Sequence, residues 1–144
     1  MNNIKELLES YSEKINFHEE KLNEIYLNES SDITEIMNYL KDNGYTFLVD
    51  VTSVDYKEYF EMIYQLFSFT ENIHLTVKTK LSHEDPQIDS MTSLWDTADW
   101  HEREAYDLMG IKFNNHPNLV RILTWDDFEG HPLRKDYEYE SNRK

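Results

Sequence analysis

Positions 60–81 constrain the fold of this chain more than any other stretch. Residues 60–69, FEMIYQLFSF, are nearly apolar throughout, which predicts a strand with a central place in a sheet. Ile73, Leu75, Val77, Thr79 and Leu81 then alternate with His74, Thr76, Lys78 and Lys80, so the next strand has one buried and one wet face. Upstream, residues 45–54 are rich in aromatic and β-branched side chains and read as a further strand. The connections 55–57 and 70–72 are too short for a crossover, so these strands are expected to run as an antiparallel meander.

The flanks supply helices. Ile4, Leu7, Leu8, Tyr11 and Ile15 recur at helical spacing and predict an amphipathic helix near 3–14. Residues 22–27 are expected to form a first strand. Asp32 followed by Glu35 resembles a capping box ahead of the stripe Ile33, Ile36, Met37 and Leu40, and Gly44 is placed to end that helix in a left-handed conformation. Residues 82–90, SHEDPQIDS, read as a loop, and 99–109 as a helix stopped by Gly110. Beyond Ile111 the chain is punctuated by proline and shows little periodicity. The expected fold class is α+β: an antiparallel (mixed) sheet with helices on one face and an irregular C-terminal extension. Residues 1–144 are expected to form a single domain, with 111–144 an extended partner-docking segment. That last third has no core stripe of its own, so another polypeptide is expected to cover it.

Composition excludes several functions. There is no cysteine, so the chain holds no cysteine-ligated iron–sulfur cluster, thiolate zinc site or thiol nucleophile of its own. A formal charge of −15 opposes non-specific nucleic-acid binding and direct docking on an anionic bilayer. No apolar run approaches the ~20 residues of a spanning helix. The polar, acidic start MNNIKELLES resembles neither a secretory signal nor a basic transit peptide, which points to the cytosolic side.

The chemistry-bearing residues gather between 93 and 137. On the predicted helix, Trp95, Ala98, Glu102, Ala105 and Met109 share one side. Arg103 lies four residues from both Asp99 and Asp107 and can reach either carboxylate. The helix is either a solvated charge ladder or a frame in which Glu102 and Arg103 turn inward as a pair beside Trp100. The carboxylates could in principle act as acid and base, but no nucleophile elbow, phosphate loop or dinucleotide fingerprint accompanies them. His101, Glu104, His116, Asp126, Asp127 and His131 could ligate a metal, yet their spacing matches neither a zinc motif nor a calcium loop. A histidine before proline, as at His116 and His131, is more often a turn residue bonded to backbone. In the tail, Leu119, Ile122 and Leu123 flank Arg121, Pro117 and Pro132 stiffen the chain, and Arg134 offers a planar fork to a carboxylate. These are hot-spot residue types, although an ordinary surface tail has the same composition.

This block strongly resembles the 30 kDa subunit family of respiratory complex I, the C-type subunit of NADH:quinone oxidoreductase. The residues that carry the resemblance are Glu102-Arg103-Glu104, Asp107, Gly110, His116-Pro117, Arg121-Ile122-Leu123, Asp126-Asp127, Gly130-His131-Pro132 and Arg134-Lys135-Asp136, with 48–55 similar to the family's central strand. It covers roughly residues 30–137. Val120 departs from the pattern, which more often has Arg, Lys or Pro there. The resemblance implies a cofactor-free structural subunit in the peripheral arm of a membrane-bound, ion-translocating redox complex, on the cytoplasmic side. Its implied partners are the large quinone-site subunit and the small iron–sulfur subunit. Iron–sulfur clusters, and flavin or a nickel–iron centre, are expected in partners. Arg121, Arg134 and Lys135 are expected to meet partner carboxylates, with Ile122, Leu123 and Trp125 supplying contact area. Glu102, Arg103, Glu104, Asp107, His116, His131 and Asp136 complete the signature. The ending YEYESNRK is similar to the compact subunits of energy-converting [NiFe]-hydrogenases, an alternative setting. More distant readings are a free-standing metal-dependent hydrolase using Glu104, Asp107 and His116, and a soluble peptide-binding module.

Overall fold

The structure is a computed structural model that describes residues 4–21, 23–125 and 130–135. In chain order its elements are α1 (Ile4–Leu7), β1 (Ile15–Phe17), β2 (Glu24–Leu27), α2 (Ile33–Asp42), β3 (Phe47–Asp55), β4 (Tyr59–Ser68), β5 (Ile73–Ser82), β6 (Gln87–Asp89), α3 (Ala98–Met109) and β7 (Lys112–Asn114). The meander forms as the short connections require. β4 pairs antiparallel with β5 from Tyr59↔Ser82 to Ser68↔Ile73, and with β3 from Phe47↔Phe67 to Asp55↔Phe60. The turns tolerate it because Lys57 and Asn72 take the left-handed conformation. The five-stranded sheet has the order β1-β2-β5-β4-β3 and is mixed, since β2 runs parallel to β5. The apolar β4 is interior, as expected.

Period-two alternation decides the faces. Phe60, Met62, Tyr64 and Leu66 of β4 and Leu75 and Val77 of β5 are fully buried. They meet Ile36, Met37 and Leu40 of α2 and Ala98, Ala105 and Met109 of α3 in one core. The α+β architecture is therefore the one expected. The opposite face carries Glu61, Ile63, Gln65 and Phe67 against His74, Thr76, Lys78 and Lys80.

Four local expectations change. The N-terminal helix is a single turn, followed by a 3-10 turn at Glu9–Tyr11, and Ile15 belongs to β1. The extended pairing Ile15↔Leu27 buries Ile15 and overrides its helical spacing. Asp32 makes no cap; Ser30–Asp32 is a 3-10 turn, and Glu35 instead accepts from Lys14 Nζ at 2.7 Å. Inside the predicted loop, β6 pairs parallel with β7, so the chain after Ile111 is not wholly irregular. Ile111 and Phe113 join the core, so the C-terminal third finds part of its cover within its own chain.

Gly44 does end α2. At φ +106° it lets the Tyr45 N–H reach Leu40 O at 3.0 Å and its own N–H reach Lys41 O at 3.3 Å, the paired bonds of a Schellman cap.

Candidate docking surface

Helix α3 organises the surface, and the 100° step between successive helical residues assigns its roles. Glu102 points into the core, fully buried. Its Oε1 accepts from Ser90 Oγ at 2.6 Å and its Oε2 from the Met91 N–H at 2.7 Å, tying the loop after β6 to the helix. Burial pushes its carboxyl up to about 7 against those two bonds, and Asp99 adds to the rise. Arg103 is not its partner, contrary to the inward pair expected. One step round the helix, Arg103 lies over Trp100, 5.3 Å from the ring centroid. It donates to Val120 O at 3.1 Å and Arg121 O at 3.3 Å. It bonds carbonyls of the following segment where a carboxylate four residues away was the expectation.

Asp107 is the hub. Its Oδ2 accepts the N–H groups of Ile122, Leu123 and Thr124 at 3.1, 2.7 and 2.9 Å. Its Oδ1 accepts from Arg121 Nη1 at 2.8 Å and from the Thr124 hydroxyl. Burial alone would raise this carboxyl; the bonds from Thr124, Arg121 and Leu123 outweigh it and hold Asp107 well below the usual carboxylate range. Arg121 was expected to meet a partner's carboxylate. Here its guanidinium serves Asp107 and Gly130 O, the latter at 2.9 Å.

The Gly-His-Pro turn closes on the same helix end. Gly110, at φ +77°, stops α3 with its N–H on Tyr106 O at 2.8 Å. His131 lies so close that a Cβ on Gly110 would sit 2.7 Å from the imidazole Cδ2. His131 Nδ1 is 2.9 Å from Asp107 O, and Leu133 N–H donates to Leu108 O at 2.9 Å. His116 behaves as a turn histidine: its Nδ1 accepts the Asn118 N–H at 3.0 Å, and its Nε2 stands 3.0 Å from Asp99 Oδ1.

A further buried carboxylate, Asp55, was not among the expected site residues. It accepts the N–H groups of Lys57 and Lys135, each at 2.8 Å, and lies 3.0 Å from His83 Nε2. Burial opposes ionisation here too, and these bonds hold the carboxyl below its ordinary value. Lys135 is thus anchored through its backbone. Arg134 lies 5.1 Å from the Phe60 ring centroid, with Nη2 3.5 Å from His83 Nδ1. An acidic residue closing a strand before a tight turn was the available signal for Asp55. Asp126, Asp127 and Asp136 lie outside the described residues.

The outcome is a frame with apolar side chains facing outward. Leu123 is 63% exposed, Trp125 57%, Leu133 57% and Val120 40%, while Ile122 is half-buried. Glu104 is exposed and lines the same depression as Leu133, whereas the Asp107 oxygens are taken by Arg121 and residues 122–124 and the His116 ring by Asp99 and Asn118. Among the described residues no three histidine or acidic side chains are grouped as a metal would require, and no helix is long and apolar enough to cross a membrane.

Known proteins resemble this chain in sequence and in fold. The family described as respiratory-chain NADH dehydrogenase, 30 kDa subunit, matches residues 27–143. The NADH-quinone oxidoreductase C-subunit of Citrifermentans bemidjiense is 53% identical over 109 residues, covering 73% of this chain and 68% of that one. Its counterpart in Moorella thermoacetica is 48% identical over 109 residues, covering 74% of each chain. Among solved structures, a trypsin-resistant fragment of Nqo5 superposes with a TM-score of 0.71 at 28% identity, over 82% of this chain and 100% of that chain. A chain of the membrane-bound sulfane sulfur reductase, an archaeal respiratory membrane complex, shares the fold with a TM-score of 0.79 at 21% identity, over 94% of this chain and 83% of that one. With the family model matched over residues 27–143 and a relative 53% identical over 109 residues, this chain belongs to the 30 kDa subunit family of the respiratory-chain NADH dehydrogenase.

Proposed function

We propose that this chain is a cofactor-free structural subunit of the peripheral arm of a membrane-bound, ion-translocating redox complex of the NADH:quinone oxidoreductase type. It docks on the large quinone-site subunit, beside the small iron–sulfur subunit, on the cytoplasmic side. Electron-carrying groups, iron–sulfur clusters and flavin, reside in those neighbours, and membrane association runs through them. The observation that carries the reading is the outward apolar set Val120, Leu123, Trp125 and Leu133 mounted on internally satisfied carboxylates. Large apolar side chains held rigidly at a surface lose little entropy on docking. Buried acids whose oxygens are filled by their own chain serve shape. Identities of 53% and 48% to NADH-quinone oxidoreductase C-subunits favour this setting over the hydrogenase type.

Affinity purification of the tagged chain from native membranes tests the reading. The large quinone-site subunit and the small iron–sulfur subunit are expected to co-purify, and Trp125→Ala and Arg134→Ala to lower their recovery while the isolated chain keeps its fold. Recovery of the chain alone, or as a homo-oligomer, from intact membranes would refute it.

A further inference from the structure

The edge of the sheet beside α3 carries features that the docking surface above leaves unused. β3 is an outermost strand, with β4 on one side only. Near its start, Trp95 Nε1 and Thr97 Oγ1 donate to Thr46 O and Leu48 O. From Asp50 to Val54, the backbone bonds run to β4 alone among the described residues. Half of the backbone groups there point outward, as on any uncovered edge. Beside this edge lies a slot of about 190 Å³ between β3 and α3. Val51, Ala105 and Leu108 line it, Leu133 borders it, and Glu104 and His101 stand at its rim. His101 Nδ1 lies 3.0 Å from Asp50 Oδ1, so the rim's carboxylates are Glu104 and Asp50.

We propose that an extended segment of a neighbouring subunit adds to β3 as a further strand, seating one apolar side chain in the slot and a neighbouring Lys or Arg against Glu104 and Asp50. Strand addition takes its affinity from main-chain hydrogen bonds and its specificity from side-chain pockets, and this edge offers both. The slot has room for a single side chain of leucine or methionine size. The acidic rim, on a chain of net charge −15, selects a cationic neighbour. The same charge disfavours a second copy of this chain pairing edge to edge. Residues 136–144, which carry Arg143 and Lys144 beside three acids, are a competing occupant that the experiment below separates. Leu133 belongs both to the slot and to the exposed apolar set, so the new contact continues the docking surface. The inference rests on the reading of the chain as a docked subunit.

Photo-crosslinking within the intact complex tests it. p-Benzoylphenylalanine replaces Thr52 in one tagged version of the chain and Trp125 in another; membranes are irradiated and the joined peptides sequenced. Position 52 is expected to capture an apolar residue next to Lys or Arg in another subunit, and Glu104→Lys to lower that yield severalfold without changing capture at position 125. Capture at 125 with none at 52, or capture at 52 of a second copy or of residues 136–144, overturns the strand-addition proposal and leaves the docking reading intact. Failure at both positions, in a chain that does not co-purify with other subunits, overturns the docking reading and this proposal together.

Discussion

Replacing Glu102 by Gln should change how stability depends on pH, and the size of the change follows from the site. The side chain is fully buried and, among the described residues, faces no cation; its hydrogen-bond partners are the Ser90 hydroxyl and the Met91 N–H. Burial raises its carboxyl from the ordinary 4.5 to about 7. Between those two values the folded protein binds a proton that the unfolded chain has released. Stability therefore falls as pH rises through this window and levels off above it. The full effect is about 3 kcal/mol at 1.36 kcal/mol per pH unit. Glutamine is neutral at every pH and can keep the geometry. Its Oε1 accepts the Met91 N–H, its Nε2 donates to Ser90 Oγ, and the Ser90 hydroxyl turns to Thr92 Oγ1, already 2.8 Å away. Glu102→Gln should thus match the parent near about pH 4 and exceed it by up to about 3 kcal/mol near about pH 8, roughly 10 °C in Tm. Urea unfolding followed by tryptophan fluorescence at a series of pH values measures this, and subtracting the curves removes other titrating groups. Parallel curves, with a constant offset at all pH values, would refute the reasoning.

Asp107→Asn should cost about 3 kcal/mol, since it removes the buried partner of Arg121, and amide exchange should quicken first at Ile122, Leu123 and Thr124. Because Asp107 and Asp55 are held below their ordinary values, their contribution is present above roughly pH 4 and is lost as pH falls into the acid range; Asp107→Asn should flatten the acid limb of the unfolding curve, and an unchanged limb would contradict the hub. Gly110→Ala should destabilise by more than about 1 kcal/mol, because a left-handed position receives a side chain and His131 must move; His131→Ala should relieve only the second part, which thermal denaturation of the double variant resolves. In the assembled complex, Leu123→Ser should release the chain at lower salt or detergent than the parent while leaving the stability of the solitary chain unchanged within about 0.5 kcal/mol.

The legible parts of this protein are those written in periodicity or in short-range stereochemistry. Alternation in residues 73–82 and short connections dictate the meander whatever surrounds it. The apolar stripe and Gly44 dictate α2 and its cap. The signature on α3 identifies the family because residue types at fixed spacing survive without coordinates. The same information could not assign partners. Arg103 is four residues from two carboxylates, yet it bonds Val120 O and Arg121 O, because a chain segment distant in sequence folds over it. Asp107 could equally have faced solvent; three successive backbone N–H groups, from 122 to 124, converge on it only once the chain has turned back after β7. β6 and β7 are too short and too polar to announce themselves and exist through each other. Local order along the chain thus specifies strands, helices and caps, since their bonds close within a few residues. Which charges are buried, which backbone they hold and which apolar side chains remain outside depend on contacts between distant segments, and those are settled by packing in three dimensions.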